Sequence, residues 1–168
     1  MRAIVLALLL VATIAPGCTS PEKAPAAPED EGWRVVDTEG ATYTPSSTQG
    51  EPLLVFFMAT WCSTCKAMTD DVAEVHATYM DRGLQVLSVT WDPQEGHEDL
   101  ERWKETYDQP WPHGIDPDFT LHRTYQVRSQ SSVIVLDANG TVVEHWGFGQ
   151  ADRDAMAQAV EDALARQA

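Results

Sequence analysis

The chain has 168 residues, 43% of them hydrophobic, so it is long enough for one globular domain with its own core. It carries 11 Lys and Arg against 26 Asp and Glu, a formal net charge of −15 at pH 7. This balance argues against nucleic-acid binding and against a basic membrane-binding surface, because phosphate backbones and anionic lipids repel an acidic protein.

Residues 1–17 have the pattern of an export signal. Arg2 supplies a positive charge, and the mostly apolar segment from Ala3 to Ala15 is shorter than the roughly 20 residues that span a bilayer. The ending Ala15-Pro-Gly-Cys18 is similar to a bacterial lipoprotein signal, in which the cysteine receives lipid and becomes the mature N-terminus. We therefore expect lipidation at Cys18 and a location in the cell envelope, on the periplasmic face of a membrane. Ordinary cleavage nearby and an uncleaved tether are the alternatives.

Residues 18–32 are rich in proline and acidic residues, a composition typical of an extended, solvated linker. They separate the signal from a predicted domain over residues 33–168. The sequence contains 3 cysteines, and an exported protein with an odd number leaves one unpaired. If Cys18 carries lipid, Cys62 and Cys65 are each other's only possible partners.

The first half of the domain alternates predicted strands with a long helix. Residues 33–44 alternate around Thr38-Glu-Gly40, which indicates a hairpin. The continuously apolar segment Leu53 to Met58 predicts a strand buried on both faces. A helix follows from about Ser63 to Asp81, and residues 84–90, LQVLSVT, predict a second buried strand.

The second half contains shorter elements. We expect a helix from Glu98 to Tyr107 and a short helix that Asp116 caps and that ends near Tyr125. Strands over residues 132–136 and 141–146 flank an Asn-Gly pair, which is a strong hairpin signal, and a last helix runs from about Asp152 to Arg166. The fold class is therefore α/β: a mixed central sheet with helices on both faces and an N-terminal hairpin extension.

Cys62 and Cys65 stand where a buried strand ends and a long helix begins. The first turn of a helix has unpaired N–H groups and a partial positive charge, so a thiolate is favoured there over a thiol. We therefore expect Cys62 to ionise more readily than a free cysteine. Cys65, one turn later, is placed to attack a mixed disulfide formed at Cys62.

Two other interpretations of the cysteine pair remain open. A structural zinc site needs four ligands, and the 5 histidines are scattered without paired ligand spacing. A purely structural disulfide is compatible with export. The strand–Trp–Cys-x-x-Cys–helix context favours redox chemistry over both, without a metal or other cofactor.

The segment from Leu53 to Lys66, LLVFFMATWCSTCK, resembles the active-site segment of the thioredoxin superfamily. The likeness is strongest to its tethered envelope branch, the TlpA- and ResA-like thiol–disulfide oxidoreductases, and it extends over roughly residues 33–164. The resemblance implies a thioredoxin-like fold, with Cys62 as the attacking thiol and Cys65 as the resolving thiol. It also implies a substrate groove beside Trp61, and Trp91, which follows a buried strand, is a further candidate for its wall.

The sequence departs from that family at three positions. Ser131, a further predicted residue of the substrate groove, stands where the family has a cis-proline facing the cysteines. A cis bond is costly without proline, so we expect a trans bond there. Phe56 stands where thioredoxins carry a buried acid, and Met68 stands where ResA-like members carry a glutamate. The usual proton acceptors for Cys65 are therefore missing, and Asp70, Asp71 and Glu74 are weaker candidates.

We interpret the chain as an exported, lipid-anchored enzyme that reduces disulfides in partner proteins and is recharged by a membrane electron donor. The family resemblance suggests apocytochrome c or copper-centre subunits as partners, and a monomeric protein. Two rival functions are a peroxiredoxin-like peroxidase and a Cu(I)-binding metallochaperone with the same fold. The first rival usually carries a Pro-x-x-x-(Thr/Ser)-x-x-Cys segment, and the segment from Phe57 to Cys62 lacks the proline. The second usually has three residues between its cysteines and a histidine near the fourth strand, whereas this chain has two residues between and no histidine from Ser129 to Ser132.

Overall fold

The computed structural model describes residues 32–166. The predicted signal peptide, Cys18 and all of the predicted linker except Gly32 lie outside these residues. The described strands are β1 (Val35–Asp37), β2 (Thr42–Tyr43), β3 (Leu53–Phe57), β4 (Gln85–Thr90), β5 (His113–Ile115), β6 (Ser132–Leu136) and β7 (Val142–Trp146). The described α-helices are α1 (Ser63–Tyr79), α2 (His97–Thr106), α3 (Thr120–Thr124) and α4 (Arg153–Ala165).

The strands form one sheet in the order β2-β1-β5-β4-β3-β6-β7. β3 pairs in parallel with β4, and β4 pairs in parallel with β5, whereas the other neighbours are antiparallel. The predicted mixed sheet is therefore confirmed. All five residues of β3 are buried, as the apolar segment predicted, because neighbouring strands cover both edges and helices cover both faces.

The side chains of β3 alternate between two apolar cores. Leu54 and Phe56 pack on the face that carries α1, α2 and α4, together with both cysteines. Val55 and Phe57 pack on the opposite face with Leu121 of α3. Since successive side chains of a strand point to opposite faces, one continuous apolar segment supplies both cores.

Both predicted hairpins are present. The turn between β1 and β2 is closed by the carboxylate of Asp37, which accepts hydrogen bonds from the N–H groups of Glu39 (2.9 Å) and Ala41 (2.8 Å). Asp137 plays the same part between β6 and β7, where Gly140 has a φ of 77°. In each turn the aspartate carboxylate accepts hydrogen bonds from backbone N–H groups that have no backbone carbonyl as a partner within residues 32–166.

The long helix ends two residues earlier than the sequence predicted. α1 stops at Tyr79, and residues 80–82 continue as a 3-10 turn. Gly83 then adopts a φ of 93°, a left-handed conformation that glycine accepts without steric cost. The last helix agrees closely with its prediction: Asp152 caps it by accepting a hydrogen bond from the N–H of Ala155 at 2.9 Å.

The predicted helix opening at Asp116 is wrong. α3 begins at Thr120, because the N–H of Asp116 pairs with the carbonyl of Thr90 at 2.8 Å and so extends the sheet. The carboxylate of Asp116 nevertheless serves the helix, since it accepts hydrogen bonds from the N–H groups of Thr120 (2.9 Å) and His122 (3.1 Å). β5, immediately before Asp116, was not predicted. Within residues 32–166, no helix combines the length and the apolar character needed to cross a bilayer.

We expect Gly114→Ala to destabilise the sheet. A Cβ atom on Gly114 would lie 2.5 Å from Val35 Cγ1 and 2.8 Å from the carbonyl oxygen of Val36, because β1 pairs directly with β5 in the sheet. Overpacking of this kind costs about 1–3 kcal/mol. Urea denaturation monitored by tryptophan fluorescence measures the loss. Gly147→Ala is the control, since its nearest contact is 3.5 Å from a flexible glutamine side chain, and a loss of the same size there would contradict the explanation.

Candidate active site

The junction between β3 and α1 places the cysteine pair at the edge of the sheet. After β3 ends at Phe57, the N–H of Met58 still pairs with the carbonyl of Val89 at 2.9 Å. The chain then turns, and the N–H of Cys62 donates to the carbonyl of Ala59 at 3.0 Å. Cys62 is the N-cap residue of α1, so its sulfur lies at the positive end of a helix of 17 residues.

Cys62 and Cys65 form a disulfide, with their Cα atoms 5.2 Å apart. The N–H of Cys65 also donates to Cys62 Sγ, at 3.1 Å. When the disulfide is reduced, this N–H and the helix dipole are in place to stabilise a thiolate on Cys62. Both cysteines are buried in the core that contains α1, and Cys65 is completely enclosed. The geometry therefore fits a nucleophile at Cys62 and an enclosed second sulfur at Cys65.

The two tryptophans predicted to line the groove have different surroundings. Trp61 is 62% exposed, and its Nε1–H donates to Asp92 Oδ2 at 2.8 Å, so the ring is fixed beside Cys62 at the surface. Trp91 is half-buried; its ring contacts Phe57 edge-on at 5.8 Å and stacks on His122 at 4.8 Å. The structure therefore places Trp61 next to the cysteines and packs Trp91 against the opposite core, and a substrate-binding role for either stays a prediction.

Two of the departures from the family pattern touch each other. Ser131 is completely buried, and its hydroxyl donates to the sulfur of Met68 at 2.9 Å. Its φ is 58°, a conformation that is uncommon for residues other than glycine, and no cis peptide bond occurs within residues 32–166. The expected trans bond at Ser131 is therefore present. The two positions at which the sequence departs from the resembled family, Ser131 and Met68, are joined by a hydroxyl–thioether contact.

The acidic residues considered as proton acceptors for Cys65 are spread along α1. Asp70 and Glu74 are exposed, and Glu74 pairs with Arg153 at 2.9 Å. Asp71 is half-buried, and partial burial raises the pKa of its carboxyl group, although the nearby Arg153 opposes this effect. The fully buried Phe56 occupies the position in β3 where thioredoxins have an acid, so β3 supplies no proton acceptor either. A catalytic role for any of the three acids stays a prediction.

Glu95, which is not among the predicted site residues, holds the segment before the cysteines through hydrogen bonds. Its carboxylate accepts hydrogen bonds from the N–H of Thr60 at 2.5 Å, from the Thr60 hydroxyl, and from the Thr90 hydroxyl at 2.6 Å. Glu95 is buried, so these three donors compensate for the loss of water around its oxygens. The only signal in the sequence was its position shortly after a buried strand, at the carboxyl edge where sites form.

The loop after β7 closes the other side of the site. The N–H of Gly149 donates to the carbonyl of Ser131 at 2.8 Å, and a Cβ atom on Gly149 would lie 3.0 Å from Cγ2 of Thr64, between the two cysteines. Phe148, one residue earlier, is 56% exposed. Exposed aromatic side chains therefore occur next to Cys62, at Trp61, and in the loop that approaches Thr64, at Phe148. No cluster of three or more His, Cys, Asp or Glu residues suited to a metal ion occurs in the described part of the chain.

Comparison with known proteins agrees with this geometry. Residues 22–145 match the AhpC/TSA family. The thiol–disulfide oxidoreductase ResA of Bacillus cereus is 26% identical over 123 residues, which are 73% of this chain and 70% of that protein.

Solved structures with the same fold include the exposed lipoprotein thioredoxin Etrx1 of Streptococcus pneumoniae. It has a TM-score of 0.65 and 28% identity, and the match covers 78% of this chain and 98% of that one. A thiol:disulfide interchange protein of the thioredoxin family from Chlorobium tepidum has a TM-score of 0.66 and 21% identity, with 83% and 99% covered. The expected thioredoxin-like fold is confirmed.

We expect Glu95→Ala to destabilise the oxidised protein by about 1.5–3 kcal/mol, because the half-buried N–H and hydroxyl of Thr60 and the buried hydroxyl of Thr90 lose their acceptor. Glu95→Gln should cost less, since its amide oxygen still accepts from Thr60. Urea denaturation measures both changes. Glu105→Ala is the matched control: Glu105 is exposed in the last turn of α2, and its removal should change the free energy of unfolding by less than about 0.5 kcal/mol. Equal effects at 95 and 105 would contradict the bracing role.

Proposed function

Because the chain belongs to the AhpC/TSA family, we propose that it is a thiol–disulfide oxidoreductase that reduces disulfides of partner proteins through Cys62 and Cys65. The observation that carries the proposal is the position of Cys62 at the N-cap of α1, where its sulfur accepts the N–H of Cys65 at 3.1 Å. The similarity to proteins named thiol–disulfide oxidoreductase supports the same activity.

The reaction proceeds by two exchanges. The thiolate of Cys62 attacks one sulfur of the partner's disulfide, an S–S bond forms between the two proteins, and the partner's other sulfur leaves as a thiolate. Cys65, once deprotonated, attacks Cys62 Sγ, which releases the second partner thiolate and leaves the Cys62–Cys65 disulfide. Two electrons pass to the partner. An upstream donor must return two electrons before the next cycle.

The proposal includes the place where the enzyme works. Residues 1–17 direct export, Cys18 carries a lipid anchor, and residues 19–32 hold the domain away from the membrane surface. The protein then acts as a monomer on the periplasmic face. Membrane-bound partners such as apocytochrome c or copper-centre subunits, and a membrane electron donor, are within its reach. The support for this part is the sequence of the N-terminal 32 residues and the family resemblance.

Trapping of the mixed disulfide tests the exchange directly. In a Cys18→Ser background, Cys65→Ser should accumulate a covalent complex with a disulfide-containing protein, because the resolving thiol is absent, and Cys62→Ser should not. Non-reducing electrophoresis separates the complex from the free chains. If the two variants behave alike, or if the unmutated pair consumes hydrogen peroxide but leaves disulfides intact, the proposal is wrong and a peroxidase is favoured.

The direction of electron flow follows from the midpoint potential of the pair, measured in the same Cys18→Ser protein equilibrated in thiol redox buffers. We expect a value near the roughly −270 mV of thioredoxin, which makes the protein a reductant. A value near −120 mV, typical of a strong oxidant, would overturn the reducing assignment. Each 30 mV corresponds to about 1.4 kcal/mol for this two-electron couple.

Met68 offers a test of the missing proton acceptor. Met68→Glu should accelerate the resolution of the mixed disulfide near neutral pH by about tenfold or more, within the range of general-base catalysis, because a carboxylate three residues after Cys65 can take its proton. Met68→Gln is the control, since it has the same size and polarity but no basic group. Rapid quenching across a pH series measures the rates. Equal rates in the two variants would mean that Cys65 already has another acceptor.

A further inference from the structure

A cleft opens beside the cysteine pair, between the start of α1 and the helix α2. Its volume is about 290 Å³, and its walls include Thr60, Lys66, Asp99, Arg102, Trp103 and Tyr107. Thr60 is two residues before Cys62, and Lys66 directly follows Cys65, so a substrate whose disulfide reaches Cys62 also reaches the cleft. The volume is at the lower limit of ordinary ligand pockets, which suits one side chain of a larger substrate rather than a cofactor.

Two hydrogen-bond donors in the cleft have no acceptor. Within residues 32–166, neither the ammonium group of Lys66 nor the hydroxyl of Tyr107 contacts an oxygen of the protein. The ring of Tyr107 is fixed against Trp103, with the ring centroids 4.4 Å apart. Arg102 shares the cleft, and its guanidinium pairs with the carboxylate of Asp99 at 2.5 Å, which leaves other N–H groups of its fork available. Lys66 is exposed and Tyr107 is half-buried, so a ligand that brings an acceptor can replace water at both groups.

Lys66 is unusual among the cations of this acidic protein. Nearly all the Lys and Arg side chains in residues 32–166 contact an oxygen of the protein: Arg34, Arg82, Arg102, Lys104, Arg123, Arg153 and Arg166. In that range Lys66 and Arg128 alone have no such contact. A lysine that pairs with none of the acidic residues of the described range keeps its charge free for a ligand.

We propose that the cleft binds a carboxylate of the disulfide substrate, so that the enzyme prefers partner proteins with an acidic side chain next to the reacting cysteine. The ammonium of Lys66 pairs with the carboxylate and the hydroxyl of Tyr107 donates to it, whereas Arg102, whose charge is balanced by Asp99, offers only its remaining N–H groups. This inference rests on the proposed function, because it assigns a specificity to the same cysteine pair. The exchange itself is unchanged, and the contact only brings acidic substrates to Cys62 more often.

Two disulfide-linked peptide dimers that differ only in the residues flanking the cysteine, Asp in one and Asn in the other, test the preference. Each rate of reduction by the Cys18→Ser protein, kept reduced, is divided by the rate of the same peptide with dithiothreitol, which removes the intrinsic effect of Asp on the disulfide. The normalised ratio of Asp to Asn should be about three- to fivefold at low salt, as expected for one exposed ion pair, and should approach one at high salt.

Substitutions distinguish an effect of the cleft on the rate ratio from an effect of the protein's overall charge. Lys66→Gln should bring the ratio close to one, Lys66→Arg should keep most of it, and Tyr107→Phe should lower it in part. Arg128→Gln is the matched control. Like Lys66, Arg128 contacts no protein oxygen within residues 32–166, but it lies outside the cleft, so its removal should leave the ratio unchanged. If Lys66→Gln slows both peptides equally, or if Arg128→Gln also abolishes the ratio, the cleft does not select acidic substrates.

The same experiment separates a failure of the proposed function from a failure of the carboxylate site. If the unmutated pair reduces neither peptide, the proposed function itself fails. If it reduces both at the same normalised rate, the function stands and the carboxylate site is refuted.

Discussion

The position of the cysteines depends on the way β3 is held in the sheet. β3 pairs with β4 on one edge and with β6 on the other, and its side chains fill both cores. Such a strand cannot shift by one residue without moving every apolar side chain to the wrong face. Its last residue is therefore fixed, and the start of α1 follows only a few residues later. The packing of β3 in the core therefore determines where α1 begins, and so where the sulfur of Cys62 lies.

Contacts from distant parts of the chain then shape the site around this fixed point. The loop after β4 holds Thr60 through Glu95 and Trp61 through Asp92. The loop before β6 supplies Ser131, and the loop after β7 brings Gly149 against Thr64. Loops gathered at the ends of neighbouring strands are the usual place for a site in sheets of this kind. The reactivity of Cys62 and Cys65 can therefore depend on one loop, and the choice of partner protein can depend on another.

Local patterns in the sequence predicted most of the fold. The apolar segment of β3, the turn at Gly140 and the cap at Asp152 each determine structure through neighbouring residues, and each was found. β5 was missed because its three residues, with His113 and Gly114 among them, carry no apolar alternation, and its strand geometry comes from pairing with β1 and β4. α3 was misplaced for the same reason: the sheet captures the backbone of Asp116.

The site was predictable to a similar extent. The cysteine pair and Trp61 follow from one motif, whereas the contacts of Glu95 with Thr60 and of Ser131 with Met68 join residues 35 and 63 positions apart. No spacing rule connects positions so distant in the sequence. Likewise, the cleft between α1 and α2 exists only after the two helices have packed, so its unpaired donors cannot be recognised in the sequence.

The left-handed backbone at Ser131 limits what can be exchanged between this protein and its relatives. Proline fixes φ near −65°, whereas Ser131 has a φ of 58°, so a proline introduced here would require the loop to change its path. That path also determines where the hydroxyl meets Met68 and where the carbonyl meets Gly149. A proline at residue 131 therefore requires accompanying changes at the residues that contact this loop, Met68 and Gly149 among them.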